Sequence, residues 1–416
     1  MNLNELITHA YETTPYYNKL FLEHGVNPKD IREINDLAKL PVLTKDNIRQ
    51  NTFDLISNLF ELNELKKERT SGSTGEPLEI YKTYEGMINA NFSMAKFRNR
   101  MFGINAKTRT CYFYMFSRNS AGQLTIEPVI RDNNSISLNI FTIDDKQLHD
   151  YVNYINDFNP EYILSIPSSL LLFANFIENN NLTITDSIKC IELKGEYVLE
   201  SQINKIKSVF NADVINHYGS TETYGIAFSC KNGNMHVLHD NVIVEIVDQK
   251  FSPVNKGEKG VICVTSLNNN AMPLIRYLLG DEAIECDCNC DCGHKGKKIK
   301  ILSGRVTEYV SMPNDKLINS GILYLIVENI NFIYKNMILQ FQIIQEELKK
   351  FNVTFVLTDQ TFREVVEKWF NAEMNKYGFD ECIIKFFYKD FIQPNKKTGK
   401  NKYFINNIES SDYYGE

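Results

Sequence analysis

Three short apolar runs, Cys111–Phe116, Tyr162–Ile166 and Ile188–Leu193, are spaced by stretches of helical periodicity at 146–158 and 198–210. Strand, helix, strand in this rhythm predicts an α/β layered domain with a largely parallel sheet, because parallel neighbours need a crossover long enough to bring the chain back. Ligands in such sheets gather at the carboxyl ends of the strands. Two turns fall there: Lys194-Gly195-Glu196-Tyr197 after the third run, and Tyr218-Gly219-Ser220-Thr221-Glu222 after Asp213–His217.

The rest of the chain reads differently on either side of this rhythm. Residues 1–62 are helices and connectors without evident chemistry, and a helix is expected from about Glu85 to Phe102. From Val237 to Thr265 the pattern alternates with period two, with strands at Asn241–Val247 and Gly260–Thr265, and predicts a small antiparallel barrel or sheet. Beyond Arg305 come a helix near 320–333, strands Gln340–Gln345 and Val353–Leu357, a helix at 360–376 and a strand Cys382–Phe387. A chain of 416 residues is too long for one ordinary core. The expected division is a large domain over 1–304, with a β subdomain at about 236–304, and a small mobile α+β domain over 305–416.

The net charge of −7 speaks against a nucleic-acid or anionic-membrane partner. The longest apolar stretch, Tyr162–Ile177, is broken by Pro167, Ser168 and Ser169 and is too short to span a bilayer. The first residues lack the basic and apolar parts of a signal peptide, so the cytoplasm is the expected location. The oligomeric state stays open, a homodimer being one option.

Between two strand-like runs lies Arg69-Thr70-Ser71-Gly72-Ser73-Thr74-Gly75-Glu76-Pro77. Its four hydroxyls and two glycines suit a polyphosphate: the glycines let backbone N–H groups approach an anion and the hydroxyls add hydrogen bonds. The P-loop pattern G-x-x-x-x-G-K-[ST] is absent, and Leu78–Lys82 alternates like a strand, which makes the segment a hairpin tip. A plain Ser/Thr/Gly turn has the same composition.

Nine cysteines in a reducing compartment ask for an explanation other than disulfides. Cys230 and His236 stand six residues apart, and Cys290 and Cys292 follow some fifty residues later. Three thiolates and one imidazole make a closed tetrahedral zinc site with no open position for catalysis. Cys286 and Cys288 are alternative ligands, and an iron–sulfur cluster is the lesser option. Cys111, Cys190, Cys263 and Cys382 sit in apolar runs and read as core.

The ordered series Thr-Ser-Gly-Ser-Thr-Gly-Glu-Pro (70–77), Tyr-Gly-Ser-Thr-Glu (218–222), Arg-Tyr-x-x-Gly-Asp (276–281), Gly-Arg (304–305) and Gly-Lys (399–400) resembles the adenylate-forming superfamily of acyl-CoA synthetases, adenylation domains and luciferases. Leu40-Pro41-Val42-Leu43-Thr44-Lys45, Cys-x-Cys-Gly at 290–293 and Phe341-Gln342-Ile343-Ile344-Gln345 are similar to its phenylacetate-CoA ligase-like branch, including the capsule-biosynthesis members.

That resemblance implies an enzyme in which a carboxylate attacks the α-phosphate of ATP, giving an acyl-adenylate and pyrophosphate before a nucleophile takes the acyl group. It implies that Thr70, Ser71, Gly72, Ser73, Thr74 and Gly75 hold the outer phosphates and that Glu222 binds Mg²⁺, a hard cation that takes carboxylate oxygens. Gly195, Glu196 and Tyr218, with Gly219, Ser220 and Thr221, would flank the nucleotide. Asp281 would take the ribose hydroxyls, with Arg305 nearby. Lys400 would stabilise the charge that develops at the α-phosphate. Each has a plain rival: Glu222 and Asp281 also suit ordinary turns, and Pro394–Lys402 also reads as an exposed basic turn in which Lys396, Lys397 or Lys402 replaces Lys400.

Two departures from the family pattern stand out, the first at the hinge of the C-terminal domain and the second bearing on the acceptor. Thr307 and Glu308 stand where many members carry a hinge Asp, and Ser311–Lys316 replaces the lysine- and glycine-rich segment of many acyl-CoA synthetases. CoA is the first expectation as acyl acceptor, with a carrier-protein thiol or an amine as the alternative and a non-catalytic nucleotide-binding zinc protein as a third reading. The carboxylic-acid pocket is expected around Phe113, Tyr114 and Ser168, with His217 as either a lining or a structural residue.

Overall fold

The computed structural model describes residues 1–70, 78–114, 117–118, 124–125, 128–140, 145–286, 289–303, 309–313, 317–334, 337–393 and 401–408. The chain divides into two compact units, Met1–Asn105 with Ile215–Arg305, and Ala106–Val214 with Val306–Glu416.

The first unit is organised on an antiparallel sheet. Its strands run in the order Val242–Val247, Lys259–Ser266, Tyr277–Cys286, Lys298–Ser303, Met235–Val237, Tyr224–Ser229 and, from residue 215 on, Asp213–Ser220. The β reading of this region therefore resolves to a sheet with Val242–Val247 at one edge. Helices Leu3–Thr13 and Pro15–Glu23 lie against it, the first opened by a capping box between Asn2 and Glu5 and the second by a proline in the first turn. Leu6, Tyr17, Phe21, Leu43, Ile80, Val244, Ile262 and Tyr277 share one core. Each large apolar side chain buried there contributes about 1.5–3 kcal/mol.

Arg276 fastens the N-terminal segment to the sheet. It is 1% exposed, its guanidinium donates to the carbonyls of Leu40 (2.6 Å) and Phe251 (2.8 Å), and it pairs with Glu245 at 3.1 Å. Its φ of 52° lies in the left-handed region, an unusual conformation for a side chain of this size. Its backbone carbonyl in turn accepts from Leu43. Residues 40–45 thus serve as a strap across the sheet.

In the second unit, Cys190–Lys194, Tyr162–Ser165, Thr110–Tyr114 and Ser135–Asn139 are neighbours in a parallel sheet, with Val129–Arg131 added antiparallel at the edge. Helices Asp145–Phe158, Pro167–Asn179 and Glu200–Phe210 bury Leu148, Ile155, Phe173, Ile206 and Phe210 against its strands. The apolar stretch from Tyr162 to Ile177 splits into a strand and a helix at Pro167, which loses nothing at the first helical position, where its missing N–H has no partner in any case. The helix expected from 198 starts two residues later, because Leu199 stays extended and donates its N–H to Gln202 Oε1.

The C-terminal part of this unit carries a four-stranded sheet in the order Ile383–Tyr388, Lys350–Leu357, Ile338–Glu347, Phe404–Asn406, with helices Gly321–Ile333 and Arg363–Lys376. Ser201 and Gln202 donate to the carbonyls of Ile338 and Leu339 and join the two sheets' elements within the unit. Cys111, Cys190 and Cys263 are fully buried, as core thiols should be, whereas Cys382 is half-buried at the margin of its cluster.

Candidate active site and metal centre

The glycine-rich segment stands on a hairpin stem. Lys66–Arg69 pairs antiparallel with Glu79–Lys82, and the stem closes where Thr70 N–H donates to the Leu78 carbonyl and Leu78 N–H donates to Thr70 Oγ1. Ser71, Gly72, Ser73, Thr74 and Gly75 lie outside the described residues, as do Arg305 and the lysines at 396, 397 and 400.

The turn that carries Glu222 is held from several sides. Its register shifts between Tyr218 and Gly219, and Tyr224 has a φ of 60°. Asn241 Nδ2 donates to the carbonyls of both Thr223 and Gly225, and Thr223 N–H donates to Ser220 Oγ. Glu222 itself is 7% exposed, and its Oε1 accepts from the Tyr277 hydroxyl at 2.7 Å. Tyr218 donates its hydroxyl to Asp281 Oδ2 at 2.5 Å. The two residues expected at the nucleotide's base and ribose are therefore adjacent, and Asp281 is oriented before any ligand arrives.

Behind this turn sits a group that sequence reasoning missed. Lys82, at the end of the hairpin stem, is buried; its ammonium pairs with Glu68 at 2.8 Å, donates to the Thr221 carbonyl at 2.5 Å and lies 3.6 Å from the centre of the Tyr224 ring. Tyr224 OH closes the circle by donating to Glu68 Oε1 at 2.9 Å. Burial pulls the Lys82 pKa below its ordinary value, while Glu68 and Glu222 oppose that shift. The only hint in the sequence was a lysine in an alternating strand, which looks like a solvated residue.

In the second unit, Gly195 adopts a φ of 88° and turns the chain after Cys190–Lys194. This aims Glu196 at the start of the helix Pro167–Asn179, where its carboxylate accepts from Ser168 N–H and Ser168 Oγ, each at 2.9 Å. A carboxylate at a helix N-terminus is favoured by the unpaired N–H groups there. Glu196 Oε1 also accepts from Asn401 N–H, and Tyr403 OH donates to the Tyr197 carbonyl. At the carboxyl ends of the parallel strands, a cavity of about 340 Å³ is lined by Tyr112, Phe113, Tyr114, Leu164, Ile166 and Lys194. Phe113 and Tyr114, two of the residues expected around the acid, line this cavity, whereas Ser168 is engaged with Glu196. His217, in the first unit, packs its ring 4.2 Å from that of Phe228.

The cysteine cluster assembles within the first unit. Cys230, His236, Cys290 and Cys292 each present a ligand atom, and all four atoms lie within 4.8 Å of one another. The Cys230 and Cys290 sulfurs are 3.6 Å apart, and Cys292 Sγ is 3.3 Å from His236 Nε2. A tetrahedral zinc ion with three sulfurs and one nitrogen has edges of roughly 3.6–3.8 Å, and three thiols with one imidazole are a donor set whose chemistry suits zinc. Burial holds the His236 imidazole neutral, its pKa lowered to about 4, which is the protonation state a metal ligand needs. Cys286 is not part of this group, and Cys288 lies outside the described residues. His294 lies close by, its ring 5.1 Å from that of His236, a neighbour that the Cys-x-Cys pattern did not announce.

The chain is similar to known proteins along most of its length. The model of the AMP-binding enzyme family matches residues 70–272, and that of the CapK C-terminal domain matches 310–407. Protein CapK of Staphylococcus aureus is 22% identical over 418 aligned positions, covering 97% of this chain and 88% of CapK. The phenylacetate-coenzyme A ligase of Thermus thermophilus is 25% identical over 74% of this chain and 69% of its own. Among solved structures, 2-hydroxyisobutyryl-CoA ligase in its postadenylation state superimposes with a TM-score of 0.75 at 15% identity, over 98% of this chain and 88% of that one. No helix among the described residues is long and apolar enough to cross a membrane. The chain thus carries an AMP-binding enzyme domain followed by a CapK C-terminal domain, and CapK and the phenylacetate-CoA ligases are among its homologues.

Proposed function

We propose that this protein is an ATP-dependent, AMP-forming acid–thiol ligase. A carboxylate oxygen attacks the α-phosphorus of ATP and pyrophosphate leaves; the thiol of CoA then attacks the acyl carbonyl of the adenylate and AMP leaves. The observation that carries this reading is the match of residues 70–272 to AMP-binding enzymes, together with the likeness to phenylacetate-CoA ligases. Adenylate formation asks a protein for alignment and charge neutralisation more than for covalent help.

In this reading the segment 70–75 binds the outer phosphates, Tyr218 and Gly195–Glu196 flank the base, and Asp281 with Arg305 holds the ribose. Lys400 supplies a fixed cation at the α-phosphate, carried on a small domain that begins near Arg305 and moves between the two half-reactions. Glu222, held by Tyr277, is the carboxylate for Mg²⁺, which neutralises the phosphates when bound. Cys230, His236, Cys290 and Cys292 hold a structural Zn²⁺ that ties the turn after the strand Tyr224–Ser229 to the loop after Tyr277–Cys286. The cavity beside Phe113 and Tyr114 takes the acid's carbon skeleton. None of the eight described cysteines is in a disulfide, which supports a cytoplasmic setting.

A second reading keeps the adenylate and changes the acceptor to a carrier-protein thiol or an amine. It is supported by the CapK C-terminal match at 310–407 and by Ser311–Lys316 in place of a lysine- and glycine-rich segment. ATP–pyrophosphate exchange across a panel of aliphatic, aromatic and amino acids tests the shared step. Mass analysis of the product formed with CoA, carrier or amine then separates the acceptors. Absence of exchange with every acid leaves a nucleotide-binding zinc protein.

A further inference from the structure

Lys82 joins two parts of the nucleotide site that are 139 residues apart in sequence. An ammonium buried this deeply is retained only where its charge and its three protons are matched. Lys82 has three matches: the Glu68 carboxylate, the Thr221 carbonyl and the face of the Tyr224 ring. Glu68 and Lys82 sit on opposite strands of the stem whose two strands flank residues 71–77 in sequence, while Thr221 and Tyr224 bracket Glu222. The Tyr224–Glu68 hydrogen bond makes the arrangement a ring, so stem and turn cannot shift independently.

We propose that Lys82 is a positioning residue for the Mg²⁺–triphosphate group: through the Thr221 carbonyl it fixes the peptide that leads into Glu222, and through Glu68 it locks that peptide to the stem of the phosphate-binding hairpin. The inference rests on the assignment of Glu222 to the metal given above. A group that orients a metal-binding carboxylate acts on metal-dependent affinity more than on nucleotide affinity as such. The partners that hold Lys82 are Glu68, Thr221 and Tyr224, none of them assigned above to base or ribose, so its loss is expected to leave the contacts to base and ribose in place.

The test compares wild type, Lys82→Met and the double variant Glu68→Gln/Lys82→Met. Calorimetry gives the affinity for ATP with and without Mg²⁺, thermal unfolding gives stability, and pyrophosphate exchange is followed against Mg²⁺ concentration. The single variant leaves Glu68 without its cation and is expected to lose stability. The double variant removes both charges and is expected to regain most of it. Both are expected to lose roughly tenfold of the affinity that Mg²⁺ adds to ATP binding, with metal-free binding changed less than about twofold. If the double variant recovers the wild-type Mg²⁺ increment along with stability, Lys82 is only one half of a structural ion pair and the proposal fails. It fails equally if wild-type protein binds ATP no better with Mg²⁺ than without. A wild type that shows the increment but exchanges pyrophosphate with no acid removes the proposed reaction alone, and the binding comparison still decides the role of Lys82.

Discussion

The backbone N–H of Asn401 donates to Glu196 Oε1 at 2.6 Å, across 205 residues of sequence. The same carboxylate accepts from Ser168 at the start of a helix, so Glu196 holds the backbone next to Lys400 against the parallel sheet. Tyr403 adds a second tie by donating to the Tyr197 carbonyl at 2.7 Å. A hydrogen bond to a charged acceptor contributes about 1.5–3 kcal/mol. Glu196→Ala is therefore expected to slow adenylate formation roughly 10- to 100-fold. Acyl transfer from a pre-formed adenylate should suffer less, because the role proposed for Lys400 belongs to the first half-reaction. Single-turnover measurement of the two halves checks this, and an equal loss in both would contradict it.

Lys400 is the residue on which the proposed chemistry leans most. A cation that acts on charge developing at the α-phosphate stabilises the transition state more than bound ATP. Lys400→Ala should thus lower pyrophosphate exchange by about 10²-fold or more while ATP affinity changes little. The same substitution at Lys396, Lys397 and Lys402 serves as the control series. Unchanged exchange in Lys400→Ala with a steep loss in one of the others would move the role to that lysine. Lys402 already has a structural task, since its carbonyl accepts from Gln342 at 2.9 Å.

About one zinc per chain is expected from elemental analysis of protein purified without chelators. Cys292→Ser should lower both the zinc content and the midpoint of thermal unfolding, because the cluster joins the Cys230 turn to the loop that follows Tyr277–Cys286. ATP affinity should fall only as far as the fold loosens, since a closed site offers no open coordination position. Fully active protein free of metal would refute the assignment.

Much of the fold was legible because it rests on local pattern. The runs at 111, 162 and 188 became parallel strands with crossover helices, and the alternation at 241–265 became antiparallel sheet. The four members of the cysteine cluster were legible for a different reason: three thiols and an imidazole make one tetrahedral donor set whatever their distance in sequence. What stayed hidden was the buried polar framework. Lys82 and Thr221, Arg276 and Leu40, Asn401 and Glu196 are each joined by one bond across more than a hundred residues. Neither partner looks unusual alone, and only tertiary packing turns a strand-end lysine or a turn glutamate into a fixed element of the site.

The buried pair Arg276–Glu245 supplies a prediction that is independent of any ligand. Both side chains are at most 4% exposed, so removing the guanidinium leaves a carboxylate without its counter-charge in the core. Arg276→Met is expected to cost about 3–5 kcal/mol of unfolding free energy. Glu245→Leu/Arg276→Met should recover much of that, because no buried charge is then left over. Burial already raises the Glu245 pKa, with Arg276 opposing, so loss of Arg276 must raise it further. The native state of the single variant then binds a proton that the unfolded chain has released. Its stability should consequently fall as pH climbs from the ordinary carboxylate range towards the raised native value, and above that value the deficit should be constant. Denaturant titrations of the variant and wild type, started in the ordinary carboxylate range and carried upward in pH, measure this difference. A deficit that stays flat over the whole range would show that the Glu245 carboxylate finds another partner when Arg276 is gone.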